Sequence, residues 1–489
     1  YYDATCDPDL TWCEPQLMPG TPFLSMGMES FHDTPVVNGT AYPTVTVEPK
    51  AYRLRVLNAA NDRSFNLSLY QADPAAPTEV QLNPAEVAAA LADPTVFPTP
   101  VAGTEGPDWI QIGNEGGFLP APVVIPPQPT TWVNDPTVFN AGNVDQHSLL
   151  LAPAERADVI VDFSKFAGKT LILYNDAPAA FPARDPRYDY YTGNGDYRDT
   201  GGAPPTPIGY GPNTRTVMQI KVAGTAAPAF DLPGLEAAFA HKADGSGVFE
   251  SSQNPIIVGQ SEYNSAYGTG FKGNDGLVQI YDELFGFKTL AGPQLTIPLQ
   301  RKAIQDEMGE AFEQEYGRMS GNLGLEAPNA QPPNQQILIL YPFVNPATEV
   351  VKPIGLPPGV DVTPISSASD GTQVWKITHN GVDTHPIHFH LFDVQLLNRV
   401  GWDGIVRKPD LNELGWKETV RISPLEDTIV ALRPYLPMLP FGLPDSIRPL
   451  NPAMPIGSTA IFNNVDGFGK PITPAITNTM TNFEWEYVW

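Results

Sequence analysis

The sequence predicts an all-β protein built from sandwich or barrel domains. Of its 489 residues, 54 are Pro and 42 are Gly, two residue types that disfavour the interior of helices and strands. Between them lie short apolar segments rich in β-branched and aromatic residues, at a spacing typical of antiparallel sandwiches and barrels. The hydrophobic share of 42% is globular. Together these observations exclude a helical bundle and a disordered chain.

Residues 1–223 are predicted to form the first β domain. One short helix is expected over Pro84–Asp93, because Asn83 can cap its first turn and Pro84 suits its first helical position. The strands are expected at Thr44–Glu48, Tyr52–Leu57, Phe65–Tyr70, Trp109–Ile112, Ser148–Leu151, Asp158–Asp162, Thr170–Tyr174 and Thr216–Val222.

Residues 224–334 are predicted to form a linker followed by an insertion, and residues 335–489 are predicted to form a second β domain. The insertion is expected to hold an amphipathic helix that ends near Gly321, since apolar residues recur there at spacings of three and four: Ile304, Met308, Ala311, Phe312, Tyr316 and Met319. The strands of the second domain are expected at Gln336–Leu340, Gln373–Thr378, His388–Leu397, Thr419–Ile422, Thr428–Leu432 and Ser458–Phe462.

The charge balance limits the partners of the protein. Asp and Glu number 54 against 28 Lys and Arg, a net charge of −26 that repels nucleic acid and anionic lipid. No apolar stretch approaches the roughly 18 residues that a membrane span requires. We therefore expect neither nucleic-acid binding nor a membrane span.

The two cysteines, Cys6 and Cys13, are predicted to close a small disulfide loop. A metal-binding pair and two unrelated thiols are the alternatives, although a metal pair usually has tighter spacing and a second ligand pair nearby. Disulfides persist in oxidising compartments, and we expect the protein to be extracytoplasmic, that is, secreted, periplasmic or at the cell surface.

Histidines carry the strongest chemical signal. Four of the seven lie within residues 379–390, in the sequence HNGVDTHPIHFH. On a strand that starts at His388, the side chains of His388 and His390 share one face, whereas His385, beyond Pro386, can point elsewhere. One segment can thus serve two metal positions. Neutral imidazole suits copper, zinc, iron and nickel, so residue type alone leaves the metal open.

The segment His385-Pro386-Ile387-His388-Phe389-His390 resembles the His-Pro-x-His-x-His motif of multicopper oxidases, which include laccases, bilirubin oxidase and phenoxazinone synthase. Three further segments are similar to that family: residues 52–59, residues 151–158 and residues 415–420, which read GWKETV. The resemblance covers nearly the whole chain. It implies two cupredoxin-like Greek-key domains, the family's second and third.

The resemblance also implies a role for each histidine. His385 is expected to ligate a type 1 copper that takes single electrons from a reductant, and His388 and His390 the type 2 and type 3 coppers of a trinuclear centre. That centre reduces dioxygen to water. The implied reductant is a phenol, an aminophenol, a tetrapyrrole or a metal ion such as Mn(II) or Fe(II).

The family's copper sites need more ligands than this chain supplies, since no cysteine follows Cys13 and no histidine follows His390. The remaining ligands are expected from an N-terminal cupredoxin domain before Tyr1 and from a His-Cys-His segment after Trp489. Both would belong to the same parent protein or to another chain. The isolated chain is expected to be inactive.

Two alternatives stay open at this point. The first is a copper-depleted cupredoxin scaffold or assembly subunit without oxidase activity. The second is a cupin-like metalloenzyme, because cupins also place His-x-His on a strand, although they need a further downstream histidine. His379 and Asp383 could help to orient an imidazole, or could be ordinary strand-end and turn residues.

Overall fold

A computed structural model describes residues 33–304 and 368–435, apart from positions 139, 201, 274, 291, 369, 380 and 382. It also describes residues 455–460 and the backbone of short strands between residues 311 and 340 and between 446 and 482. Cys6 and Cys13, on which the predicted disulfide depends, lie outside the described residues.

The first group of strands forms two sheets that pack face to face, and its first two strands make a separate antiparallel pair. Its strands are β1 (Val36–Val37), β2 (Thr40–Ala41), β3 (Thr44–Val47), β4 (Ala51–Leu57), β5 (Phe65–Asp73), β6 (Ala76–Val80), β7 (Trp109–Asn114), β8 (Gly117–Ile125), β9 (Leu149–Leu151), β10 (Arg156–Asp162), β11 (Thr170–Asn175) and β12 (Thr216–Val222). One sheet has the order β4-β10-β7-β8, and the other has the order β3-β12-β11-β5-β6 with β9 paired to β5. We call this unit the first sandwich.

Alternation along the strands builds the core of the first sandwich. In β10, for example, Ala157, Val159 and Val161 point inward and are almost fully buried. They meet Leu69 and Leu171 of the opposite sheet in one apolar cluster. The predicted helix is confirmed as α1 (Pro84–Ala90), in which the Asn83 side chain accepts a hydrogen bond from the Ala85 N–H at 3.1 Å.

The second group of strands centres on one large sheet. The later helices and strands are α2 (Leu232–Phe239), α3 (Val248–Ser252), α4 (Asn264–Tyr267), β13 (Leu284–Lys288), β14 (Gln294–Ile304), β15 (Ala311–Glu313), β16 (Arg318–Ser320), β17 (Leu323–Ala327), β18 (Ile337–Leu340), β19 (Gln373–His379), β20 (His385–His388), β21 (Phe392–Gly401), β22 (Val406–Arg407), β23 (Thr419–Ile422), β24 (Glu426–Pro434), β25 (Ser446–Arg448), β26 (Thr459–Ala460), β27 (Ile476–Thr477) and β28 (Met480–Asn482). The large sheet has the order β18-β17-β14-β19-β24-β21-β22, with β13 paired to β14. None of the helices within the described ranges is long and apolar enough to cross a membrane.

Each face of the large sheet carries its own apolar core. Val374 and Ile429 belong to the cluster on one face, and Trp375 and Val430 to the cluster on the other. The antiparallel pair β20 and β23 adds Ile387 to the second cluster. The all-β class predicted from the sequence is thereby confirmed.

The amphipathic helix predicted in the insertion is wrong. Ile304 ends strand β14, and β15 and β16 form an antiparallel pair. The span also contains Gly309 and Gly317, each of which costs a helix about 1 kcal/mol relative to Ala. The three-and-four spacing of its apolar residues therefore did not indicate a helix.

The insertion also contributes strands to the second unit. β13 and β14 lie in the predicted linker and insertion, yet β14 pairs in parallel with β19. Phe285 and Phe287 alternate with exposed residues along β13, a period of two that marks a half-buried strand. The exact domain boundaries at residues 223 and 334 stay predictions.

A chain of buried charges joins the first sandwich to the second unit. The Lys417 ammonium lies 3.0 Å from Glu115 and 3.2 Å from Glu155, both of the first sandwich. Glu155 also pairs with Arg421 at 3.2 Å, and Arg421 with Glu413 at 3.1 Å. All these side chains are less than a tenth exposed. The side chain of Lys417, a residue of the second unit, thus contacts two carboxylates of the first sandwich.

The same chain continues to Arg399 and Glu426. Arg399 bonds both oxygens of Glu413 at 2.8 Å, and its Nε lies 3.4 Å from Glu426. Although burial opposes ionisation, Arg399 and Arg421 hold the pKa of Glu413 well below its usual range. For Glu426, burial outweighs the attraction of Arg399 and raises the pKa to about 7.

We predict that Lys417→Met destabilises the protein by about 3–5 kcal/mol, because it leaves the buried Glu115 without its cation and Glu155 with Arg421 alone. Guanidinium unfolding measures the effect. Lys408→Met is the matched control, since Lys408 is 43% exposed and pairs with Glu262. We expect this variant to lose about 1 kcal/mol or less of unfolding free energy. Equal losses in the two variants would contradict a structural role for Lys417.

We predict that Glu426→Gln changes how stability depends on pH. The folded state raises the pKa of Glu426 from 4.5 to about 7, so its protonated form stabilises the fold at low pH and this contribution is lost as the pH rises through 7. The free energy of unfolding of the variant relative to that of the wild type should therefore be about 1–3 kcal/mol higher at about pH 8.5 than at about pH 5. Urea unfolding at both pH values measures it. The exposed Glu283, paired with Arg301, gives the control Glu283→Gln, and an equal gain there would refute the prediction.

Candidate functional site

The predicted metal ligands lie on and beside the short strand β20. His385 and His388 are its first and last residues, and β20 pairs with β23 in the register His385 to Ile422 and His388 to Thr419. Ile387 and Phe389 point into the apolar core and are less than a tenth exposed. His388 and His390 thus alternate with the residues that anchor the segment.

The predicted single strand over His388–Leu397 is wrong in one respect. β20 ends at His388, and β21 begins only at Phe392. Leu391 between them has a φ of +62°, in the left-handed region that terminates extended structure. Sequence patterning could not show this, since leucine seldom adopts that conformation.

His388 and His390 nevertheless come together as predicted. Their ring centroids are 4.9 Å apart, with the rings nearly perpendicular. Burial lowers the pKa of His388, and the nearby His390 and Arg156 lower it further. A lowered pKa favours neutral imidazole, the form that binds metal ions.

His385 has a different neighbour. Its ring packs edge-to-face on the ring of His379, with centroids 5.0 Å apart. His379 is fully buried, and its Nε2–H donates to the main-chain oxygen of Asp383. The Gly381 N–H donates to Nδ1 of the same ring at 3.3 Å. His379 is therefore a fixed packing surface for His385, and Asp383 orients it through its backbone.

The first sandwich reaches both ends of this segment. Near His385, the Thr384 N–H donates to the carbonyl of Phe181 at 2.8 Å, and Pro182 forms a β-bridge with Asp383. Near His388, the hydroxyl of Thr419, on β23 of the same unit, lies 2.8 Å from Nδ1 of the imidazole and 3.1 Å from the main-chain oxygen of Ala154 in the first sandwich. The first sandwich thus contacts the segment directly near His385 and through Thr419 near His388.

A glutamate and a glycine of the β7–β8 turn support the histidine side of β23. The carboxylate of Glu115 accepts hydrogen bonds from the N–H groups of Glu418 at 3.3 Å and Thr419 at 3.0 Å. A Cβ at Gly116 would overlap the main-chain oxygen of Trp416, so only glycine permits this approach. Sequence reasoning missed the contact, because Glu115 and Thr419 lie far apart in the chain.

A cavity of about 490 Å³ opens between the two units, next to the histidine segment. Its lining is largely polar and includes Gln253, Asn254, Glu418 and Tyr435. Glu418 is paired with Arg156. The paired carboxylate gives this cavity no strong preference for a charged ligand.

The described residues do not complete a metal site. Within residues 33–304, 368–435 and the short stretches beyond them, no group of three His, Cys, Asp or Glu side chains is placed to hold a metal ion. The donor type nevertheless suits copper, because two imidazoles stand side by side at His388 and His390. Two other described histidines have carboxylate neighbours: His147 contacts Asp410 and His241 contacts Glu250.

Comparison with known proteins identifies relatives of one kind. Residues 331–438 match the family model described as multicopper oxidase. A laccase of Haloferax volcanii is 24% identical over 394 residues, which are 81% of this chain and 41% of that laccase. A laccase of Bacillus subtilis is 32% identical over 145 residues, 30% of this chain and 18% of that protein. The chain thus spans less than half the length of either relative.

Solved structures of multicopper oxidases also match this chain over most of its length. The multicopper oxidase McoA of Aquifex aeolicus has 18% identity and a TM-score of 0.39, over 85% of this chain and 54% of that one. A multicopper oxidase of Campylobacter jejuni has 13% identity and a TM-score of 0.37, over 84% and 54%. The family model and the two laccases, together with the histidine motif, lead to one conclusion: this chain is similar to multicopper oxidases, most directly over residues 331–438.

Proposed function

We propose that this chain forms the second and third cupredoxin-like domains of an extracytoplasmic multicopper oxidase. The observation that carries the proposal is the division of the histidines. His388 and His390 stand together, whereas His385 packs against His379. This arrangement suits one segment that serves two metal centres.

In this proposal His385 holds a type 1 copper, His388 a type 2 copper and His390 a type 3 copper. When bound, the coppers would take single electrons from a reductant and deliver them to dioxygen, which is reduced to water. The other ligands would come from a further cupredoxin domain and a His-Cys-His segment, in the same parent protein or in another chain.

The residues of this chain would contribute position and protonation state. The pairing of β20 with β23 fixes the spacing of His385 and His388 along the segment. Partial burial lowers the pKa of the His388 imidazole, which reduces the competition between protons and a metal ion. The fully buried His379 keeps the His385 ring from turning away.

The reductant remains a class rather than a compound. Phenols, aminophenols, tetrapyrroles and the ions Mn(II) and Fe(II) are all compatible with single-electron transfer. The net charge of −26 favours approach of cations but mainly serves solubility. We keep phenolic and metal-ion reductants as equal candidates.

We predict that the chain binds Cu(II) through His388 and His390. In a titration followed by electron paramagnetic resonance, the signal should show nitrogen hyperfine coupling. The double variant His388→Gln/His390→Gln should weaken binding at least about tenfold, because it removes both imidazoles that are proposed to bind the ion. His147→Gln, which alters a histidine bonded to Asp410, should bind like the wild type. Unchanged binding in the double variant would contradict the proposed site.

We predict oxygen consumption by the whole natural protein that contains this chain, when it is supplied with a phenol or with Mn(II) or Fe(II). His385→Ala should abolish the consumption, because the electron-accepting site loses a ligand. An oxygen electrode measures it, with the His147→Gln protein as control. A whole protein that folds, binds no copper and consumes no oxygen would instead support the copper-depleted scaffold.

A further inference from the structure

The hydroxyl of Thr419 lies between two groups that belong to different units. On one side, its Oγ1 is 2.8 Å from Nδ1 of His388. On the other side, it is 3.1 Å from the main-chain oxygen of Ala154, in the first sandwich. Thr419 itself is fully buried, so water does not compete for either contact.

The number of protons decides the direction of these two bonds. A hydroxyl has one proton to donate, and a carbonyl oxygen can only accept. When Thr419 donates to Ala154, it must accept from His388, and Nδ1 of His388 must carry a proton. The Nε2 atom of a neutral imidazole is then unprotonated and has its lone pair free.

We propose that Thr419 is a positioning residue that holds His388 as the Nδ1–H tautomer and so reserves Nε2 for the copper of the proposed function. This step rests on that function for the identity of the metal. The tautomer itself is inferred from the hydrogen bonds of the metal-free chain, in which the Thr419 hydroxyl donates to Ala154 and is left to accept from His388.

The position of Thr419 is itself fixed by the first sandwich. Its N–H donates to Glu115 at 3.0 Å, and its backbone pairs with His388 across β20 and β23. The residue therefore has little freedom to move with the imidazole. The hydroxyl stays where the two units place it.

The carbonyl that receives the hydroxyl proton is also held in an unusual way. Ala154 has a φ of +68°, a conformation that a non-glycine residue adopts only at a cost of about 1 kcal/mol or more. In that conformation its oxygen accepts from Thr419 and also from the Arg156 guanidinium, at 2.9 Å. The strained backbone of Ala154 thus places its carbonyl oxygen against the Thr419 hydroxyl that contacts His388.

The test is nitrogen-15 NMR of the imidazoles in the metal-free 489-residue chain. The chain has seven histidines, so the spectrum is small, and the His388 signals are those lost in His388→Gln. We expect a protonated Nδ1 and an unprotonated Nε2 for His388 in the wild type. We expect the same in Thr419→Ser, which keeps the hydroxyl.

Thr419→Val should abolish this preference, and His388 should then show a protonated Nε2 or a mixture of tautomers. Thr419→Ala serves as a second variant should valine prevent folding. The control is Thr428→Val, the same chemical change on β24, at a buried hydroxyl with no hydrogen bond among the described residues. That control should keep the wild-type tautomer.

A protonated Nε2 in the wild type would overturn the inference, and so would an unchanged tautomer in the valine or alanine variant. A copper titration of the same proteins separates this outcome from the proposed function. Thr419→Val should weaken Cu(II) binding by about 10- to 100-fold. Should the wild type show the expected tautomer but bind no copper, the proposed function fails while the role of Thr419 stands.

Discussion

The structure depends on one buried cation, the ammonium of Lys417. It contacts Glu115 and Glu155 of the first sandwich while its own backbone belongs to the segment that leads into β23. Despite burial, these carboxylates raise the pKa of Lys417, so it stays charged. Removing a charge from water is costly, and only well-placed partners offset that cost. The contact therefore stabilises the arrangement of the two units in which this group has both partners.

The position of the histidines follows from that contact. Lys417, Glu418 and Thr419 are consecutive, and the N–H groups of the last two are bonded to Glu115. β23 then pairs with β20, whose ends are His385 and His388. Apolar burial alone would not fix the position of the histidine segment relative to the first sandwich, because each unit has its own core. Charge-assisted hydrogen bonds are directional and fix both distance and orientation.

How much the sequence predicts depends on how local the determining interactions are. The strands of the first sandwich follow from alternation and turn residues, and Thr216–Val222 and Thr419–Ile422 match the predicted bounds. α1 follows from its capping residue Asn83. The predicted helix in the insertion fails because spacings of three and four can also arise in a chain that forms strands.

The candidate site likewise contains residues that the local sequence predicts and residues that it does not. The three motif histidines are recognised from their spacing alone, because the chemistry needs those residues close together. Thr419 and Glu115 are not recognised, since their hydrogen bond joins positions 304 residues apart. No local pattern reports such a distance. The left-handed conformation of Leu391, which lies between β20 and β21, is likewise set by its surroundings.

The alternation of a strand explains how so short a segment can serve two environments. His385 and His388 are three residues apart, so on β20 their side chains leave from opposite faces. His385 therefore meets His379, whereas His388 meets Thr419 and the first sandwich. A spacing of two would put both imidazoles on one face, and a spacing of four would do the same. Three is the smallest odd separation that also leaves room for Pro386 and the buried Ile387, which anchors the strand in the core between the two histidines.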